Sequence, residues 1–113
     1  MSGWSHRVTE NAVIESVSLG FHDGFGSIPT AWVTLRYDAG GQGFGGYCLK
    51  GEAAYEFIYG VLNALECESW EKLAGKPCRV DHEHTKVHRI GHFFKDRWFD
   101  PDAAMAKIRE TPR

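Results

Sequence analysis

The chain has 113 residues, of which 42% are hydrophobic and 25% are charged, and its formal net charge is −2. This composition is that of a globular domain with one core, and it excludes a disordered chain and a strongly basic, nonspecific nucleic-acid binder. No window approaches the ~20 apolar residues of a membrane span, so we expect no membrane contact.

The number and spacing of the cysteines indicate the cellular compartment. There are three of them, an odd number, and none forms a C-x-x-C pair. Such a set favours reduced thiols over a disulfide framework. The first residues lack the apolar core of a signal peptide. We therefore expect a cytoplasmic protein.

The first half of the chain predicts strands. Residues 1–11 are polar and predict a flexible N-terminal arm, and residues 12–113 predict a single α+β domain. Apolar and polar residues alternate over residues 13–21 and 31–37, which is typical of strands with one buried face. A third short strand is predicted over residues 44–49. The more apolar side of the first strand consists of Val13, Glu15, Val17, Leu19 and Phe21.

Residues 52–66 change period, because apolar side chains recur there at the spacing of an amphipathic helix. Gly60 weakens this helix by about 1 kcal/mol relative to alanine, so tertiary packing must hold it. Tyr55 and Tyr59 lie off the apolar stripe, four residues apart. At that spacing they are predicted to meet each other or a partner.

The second half predicts a hairpin and a short helix. Strands are expected over residues 78–83 and 87–94, and Asp100 and Pro101 are good first residues for a helix over residues 101–109. The order is thus β-β-β-α-β-β-α. It predicts a mostly antiparallel five-stranded sheet with the main helix packed on one face.

The glycine-rich segment Gly41–Gly46 matches G-x-G-x-x-G, but it leads into a strand rather than a helix. A dinucleotide site needs the helix N-terminus, so this interpretation is rejected. Gly43, Gly45 and Gly46 leave part of the sheet without side chains. Either an aromatic ring such as Trp32 lies over this bare backbone, or the strip is a groove for a flat ligand or another chain.

A histidine cluster raises the question of a metal. His82, His84, His88 and His92 lie close together in the sequence with acidic neighbours, and zinc or another divalent ion is one hypothesis. No complete ligand pattern is present, so we expect no cofactor. The alternative interpretation is a polar, partly exposed face of the hairpin.

The same segment mixes cations with aromatic rings, including Arg79, Arg89, Lys95 and Trp98. An arginine can fork onto a phosphate and an aromatic ring can stack on a base. The alternative is a solvated face with Trp98 in the core. No nucleophile is marked as activated, so evidence for an enzyme is weak. The candidate ligand-binding residues are Gly43, Gly45, Gly46, Tyr47, Arg79, His84, Arg89, His92, Lys95 and Trp98.

Four segments together resemble a widespread group of small bacteriophage and prophage proteins. They are IESVSLGFHDGFG (residues 14–26), GGQGFGGYCL (residues 40–49), SWEKLAGKPCRV (residues 69–80) and IGHFFKDRWFDP (residues 90–101). The resemblance implies a phage-encoded protein of the host cytoplasm. Small phage proteins without a catalytic motif often antagonise bacterial defence by binding.

Two kinds of antagonist fit this resemblance. In size, strand–helix order and the WEKLAGK turn, the chain is similar to the Thoeris anti-defence sponges, which implies a homo-oligomer that sequesters a cyclic nucleotide. The other kind is an anti-CRISPR-type inhibitor that contacts a host defence nuclease directly. A small metal-dependent phosphodiesterase or nuclease built on the histidines is a further hypothesis.

Overall fold

A computed structural model of the protein describes residues 7–21, 29–37, 40–48, 51–83 and 86–110, without the side chains of residues 47–48 and 109–110. The predicted α+β class is confirmed, since two helices accompany an antiparallel sheet. The strands are β1 (Val8–Gly20), β2 (Thr30–Tyr37), β3 (Gly40–Cys48), β4 (Pro77–Glu83), β5 (Lys86–Gly91) and β6 (Trp98–Phe99), and the helices are α1 (Glu52–Leu65) and α2 (Pro101–Glu110).

The sheet has six strands in the order β3-β2-β1-β4-β5-β6, so the predicted number of five is wrong. The additional strand is β6, which pairs Ile90 with Phe99 and Gly91 with Trp98. Two residues are too few to show the alternation by which a strand is recognised in a sequence. The sheet curls so that β3 approaches β5, and its inner face packs against α1.

The long strand β1 joins two halves of the sheet. Residues 8–13 pair with β4, whereas residues 13–20 pair with β2. The predicted first strand began at Val13, so residues 8–11, which were assigned to a flexible arm, belong to β1. Polar residues such as Thr9 and Asn11 are exposed there, and cross-strand pairing rather than apolar content makes the segment a strand.

A register shift between Ile14 and Ser16 changes which side of β1 is buried. Before it, Ile14 is fully buried and Glu15 is exposed, so the predicted side of the strand is wrong there. After it, Val17 packs against the core as predicted, but Leu19 and Phe21 on the same predicted side are exposed, so the prediction is wrong at the end of the strand. One extra residue in a strand moves all later side chains to the opposite face.

The core is centred on Phe57 of α1, which is fully buried. The centre of its ring lies 5.9 Å from that of Phe44, 5.9 Å from that of Phe99 and 6.1 Å from that of Trp70. A Cβ atom on Gly60 would lie 2.3 Å from the Phe99 ring. Gly60 weakens α1, but it also lets β6 pack closely against the helix. This packing is the tertiary support that the sequence predicted.

Neither of the described helices is long and apolar enough to cross a lipid bilayer. Helix α1 follows the predicted amphipathic pattern, with Phe57, Val61, Ala64 and Leu65 buried. Tyr55 and Tyr59 stand on its exposed side, and their rings stack with centres 5.3 Å apart. Of the two predicted alternatives, contact with each other or with a partner, the contact between the two tyrosines is observed.

Candidate functional site

Trp98 lies on the outer face of the sheet, over the backbone of Gly91 on β5. A Cβ atom on Gly91 would come within 2.6 Å of the indole ring. The guanidinium carbon of Arg89 is 4.3 Å from the centre of the ring, and that of Arg79 is 4.9 Å away. Both distances are in the range of cation–π contacts. We refer to Arg79, Arg89 and Trp98 as the arginine–tryptophan surface.

Both arginines are held in place through their Nε atoms. Arg79 donates from Nε to the carbonyl oxygen of His92 at 2.8 Å and from Nη2 to that of Lys95 at 2.8 Å. Arg89 donates from Nε to Oδ2 of Asp81 at 2.9 Å. A guanidinium group has five N–H donors, so most donors of the Nη atoms are not used by these anchoring bonds. These hydrogen bonds orient the two guanidinium groups and leave most of their Nη donors unused.

Asp81 fixes one side of this arrangement. Its side chain is only 10% exposed, and Oδ2 also accepts a hydrogen bond from Arg7 at 3.0 Å. Burial alone would raise the pKa of the Asp81 carboxyl, but the hydrogen bonds and positive charges of Arg89 and Arg7 outweigh it and hold the pKa below its ordinary value. Asp81 is therefore an ionised acceptor at neutral pH.

We expect Asp81→Asn to lower the free energy of unfolding at pH 7 by about 1–3 kcal/mol, because two charged donors lose an ionised acceptor. The pKa of Asp81 is depressed in the folded state, so its contribution is complete above the unfolded pKa of about 4 and is lost as the pH falls through the folded value. Urea denaturation at a series of pH values should show the difference between variant and wild type shrinking below about pH 4.

The exposed residue Glu71 provides a control for this prediction. Glu71→Gln should change the free energy of unfolding by less than about 0.5 kcal/mol. A difference for Asp81→Asn that stays constant far into acid would contradict a role for the carboxylate charge.

A second group of charges surrounds Glu66, at the C-terminal end of α1. Its carboxylate accepts from Nζ of Lys95 at 2.9 Å, and it lies 3.5 Å from Nη1 of Arg97 and 3.4 Å from Nε2 of His92. The hydrogen bond from Lys95 is the main cause that lowers the pKa of Glu66. The side chains of Lys95 and His92 thus face Glu66, while their backbone carbonyls anchor Arg79.

The glycine strip on β3 is covered by Trp32 from β2. A Cβ atom would lie 3.1 Å from the Trp32 ring at Gly43 and 2.4 Å from it at Gly46. At Gly45, where φ is +121°, a Cβ atom would collide with the carbonyl oxygen of Ala31 at 2.4 Å. Of the two interpretations of the strip, the one observed is the aromatic ring on bare backbone. Strands β2, β1 and β4 separate the strip from Arg89 in the sheet order.

The described histidines make separate contacts. His82 packs on Tyr37 with ring centres 4.4 Å apart, and its Nε2 lies 3.6 Å from Oε2 of Glu10. His88 pairs with Glu83, and His92 faces Glu66 as above. Within the ranges that the structure describes, no three His, Cys, Asp or Glu side chains are grouped to hold a metal ion. The hypothesis of a metal cluster also involves His84, which lies outside the described residues.

The pair of His82 and Glu10 occupies the inner face of the sheet. Both ring nitrogens of His82 and Oε2 of Glu10 are buried without a hydrogen-bond partner among the described residues. Burial, followed by the negative charge of Glu10, raises the pKa of the nearby Tyr37. On β4, by contrast, Cys78 is in the core, where burial raises the pKa of its thiol to about 12. This thiol is not an activated nucleophile.

The structure brings three of the predicted ligand-binding residues together and supports them with residues that the sequence analysis did not single out. Arg79, Arg89 and Trp98 come together, whereas the glycine strip is covered by Trp32, and the Tyr47 side chain lies outside the described part of the structure. The missed supports are Asp81 and Gly91. The available signal was alternation, since residues 79 and 81 on one strand must share a face.

Comparisons with family models, with curated proteins and with solved structures found no match to this chain.

Proposed function

We propose that this protein acts by binding, and that it captures a phosphate-bearing nucleotide on the arginine–tryptophan surface. The observation that carries this proposal is that two guanidinium groups lie 4.3 and 4.9 Å from the centre of one indole ring, each anchored through Nε. Their Nη donors suit a bidentate contact with phosphate. The part of the indole ring that stays exposed beside the guanidinium groups offers an aromatic contact to a nucleobase.

The local charge supports an anionic ligand. Arg7, Arg79 and Arg89 outnumber the two carboxylates that contact the same surface, those of Asp81 and Asp96. The Arg89 side chain is 35% exposed, so a ligand can reach it. Because the arginines are already oriented by Asp81 and by backbone carbonyls, binding a phosphate costs little side-chain entropy.

In a phage-encoded protein, such a surface would serve to sequester a nucleotide signal of bacterial defence in the host cytoplasm. This extension of the proposal draws on the resemblance of the sequence to small phage proteins. Self-association belongs to the same proposal. Strand β3 is an edge of the described sheet, and a second copy that covers it would bring two of these surfaces into one particle.

The test is isothermal titration calorimetry with three probes: ATP, 3′,5′-cyclic AMP and cyclic di-AMP. We expect at least one probe to bind, and Arg89→Lys to weaken its binding about tenfold, because lysine keeps the charge but loses the planar fork and the stacking on Trp98. Arg36→Lys is the matched control, since Arg36 is an exposed arginine on β2 far from Trp98 in the sheet order. It should bind as the wild type does.

Two results would contradict the proposal. One is that none of the three probes binds the wild type. The other is that Arg89→Lys binds a probe as tightly as the wild type does. Mass spectrometry of the recovered probe separates binding from catalysis. An intact nucleotide agrees with sequestration, whereas a hydrolysed one would favour the phosphodiesterase hypothesis.

A further inference from the structure

A groove of about 530 Å³ runs between α1 and α2, on the side of the molecule that carries the helices. The residues that line it include Tyr59 and Gly60 of α1, both residues of β6, Trp98 and Phe99, and Ile108 of α2. Helix α2 presents only small side chains at Ala103 and Ala104, which leaves the groove open. Its volume is in the range of ligand-sized clefts.

The charge on the α1 side of the groove is entirely acidic. Glu52 and Glu56 are the only charged residues of α1, and both line the groove. Glu56 is half-buried, and it makes no hydrogen bond or ion pair with any other residue that the structure describes. Lys107 of α2 is the one cation among the lining residues. A half-buried carboxylate without a partner favours a cationic group in the groove.

The guanidinium of Arg97, from the same chain, is bound at the C-terminal end of this face of α1. Arg97 donates from Nε at 3.2 Å and from Nη2 at 2.7 Å to the carbonyl oxygen of Asn63, and from Nη2 to Oδ1 of Asn63 at 2.8 Å. Its Nη1 lies 3.5 Å from Oε2 of Glu66. The two oxygens of Asn63 and the carboxylate of Glu66 thus form a site that holds a guanidinium group.

The spacing along α1 places Glu56 two turns before this occupied site. Glu56, Tyr59, Gly60 and Asn63 follow the i, i+3, i+4, i+7 pattern of one helix face, and all four line the groove. Seven residues correspond to about 10.5 Å along a helix. Glu56 is therefore far enough from Arg97 to accept a second guanidinium, whose apolar stem would lie over Gly60 and Phe99.

The exposed tyrosines adjoin the groove. Tyr55 is 61% exposed and Tyr59 is 49% exposed, and their rings are nearly parallel, with an interplanar angle of 9°. Stacked rings are held rigidly, so they bury area in a complex at low entropic cost. Tyrosine and arginine are among the residues enriched where proteins contact each other. An arginine of a partner protein is the occupant that matches both the rings and the carboxylate.

We propose that the groove between α1 and α2 is a docking site for an arginine side chain presented by a partner protein. The guanidinium pairs with Glu56, the aliphatic stem packs on Gly60 and Phe99, and the flanking partner residues cover Tyr55 and Tyr59. The groove adjoins the arginine–tryptophan surface at Trp98, which lines both. The contacts proposed for the guanidinium involve neither Arg79 nor Arg89.

The test uses the tripeptide acetyl-Leu-Arg-Leu-amide as the probe, followed by amide chemical shifts in ¹⁵N-labelled protein. We expect saturable shifts at Tyr59, Gly60 and Asn63. Glu56→Gln should weaken binding about tenfold, which is the loss of one charge-assisted contact. Ala103→Phe should also abolish binding, because its ring fills the groove while Glu56 keeps its charge.

Matched controls separate this site from general charge effects. Glu71→Gln removes an exposed carboxylate outside the groove and should bind the tripeptide as the wild type does. Tripeptides with citrulline or lysine in place of arginine should bind at least fivefold more weakly. Equal binding of either one, shifts outside the groove, or no saturable shift would overturn the proposal.

The source of the guanidinium is tested in the same experiment. If argininamide alone bound as tightly as the tripeptide, a free small molecule would replace the partner protein as the occupant, and the proposal would be wrong. Failure here is also distinct from failure of the proposed function. Glu56→Gln should leave nucleotide binding unchanged, and Arg89→Lys should leave tripeptide binding unchanged.

Discussion

Replacing Phe57 with alanine is expected to lower the free energy of unfolding by about 3–5 kcal/mol. The ring is fully buried, and it contacts the rings of Phe44, Trp70 and Phe99 from three different elements. Its removal leaves a cavity that these neighbours cannot fill together, because each is tied to its own strand or turn. The loss is a large part of the stability of about 5–15 kcal/mol that is typical of a single domain.

Urea denaturation followed by circular dichroism measures this effect. Phe94→Ala is the matched control, since the same side chain is 81% exposed at position 94. It should change the free energy of unfolding by less than about 0.5 kcal/mol. Equal losses for the two variants would mean that Phe57 is not the centre of the core.

Gly91→Ala is expected to displace Trp98 and to disrupt the arginine–tryptophan surface. A Cβ atom at this position would lie 2.6 Å from two atoms of the indole ring, closer than packed atoms tolerate. The overpacking should lower the free energy of unfolding by about 1–3 kcal/mol. Nucleotide binding should weaken at the same time, because the ring moves away from Arg79 and Arg89.

The indole N–H resonance of Trp98 reports this displacement directly, since Nε1 donates to Asp96 at 3.1 Å. Its shift should change in Gly91→Ala and stay the same in Gly20→Ala. Gly20 is the matched control, because a Cβ atom there meets nothing within 4 Å. An unchanged Trp98 resonance in Gly91→Ala would show that the ring does not depend on the bare backbone of β5.

Strand β6 connects Phe57 in the core with Gly91 on the outer face of the sheet. Its two residues point to opposite faces of the sheet, and each one lies on a glycine: Phe99 on Gly60 of α1, and Trp98 on Gly91 of β5. Phe99 also meets Phe57 edge to face. The core thus sets the position of β6, and β6 sets the position of the Trp98 ring next to both arginines. Replacing Phe57 should therefore also disturb the arginine–tryptophan surface, because Phe99 connects the core to Trp98.

Local patterns in the sequence were sufficient for much of the fold. Helix α1 and the strand over residues 31–37 were predicted from spacing alone, and the contact of Tyr55 with Tyr59 was one of two alternatives predicted from it. Each depends on residues a few positions apart, and their geometry follows from the period of a helix or a strand. The packing of the Trp32 ring on the glycine strip was one of two interpretations of that segment. It could be foreseen locally because backbone without side chains is commonly covered by an aromatic ring.

Other features depend on pairings between distant segments. The bulge in β1 near Glu15, the two-residue strand β6 and the joining of Asp81 to Arg7 and Arg89 arise from strand register, which local periodicity does not encode. Strand pairing also placed Trp32 over the glycine strip and gave His82, His88 and His92 separate partners. The residue types that suit a binding site could thus be recognised along the chain, whereas their neighbours in space followed from the way the strands pair and curl around Phe57.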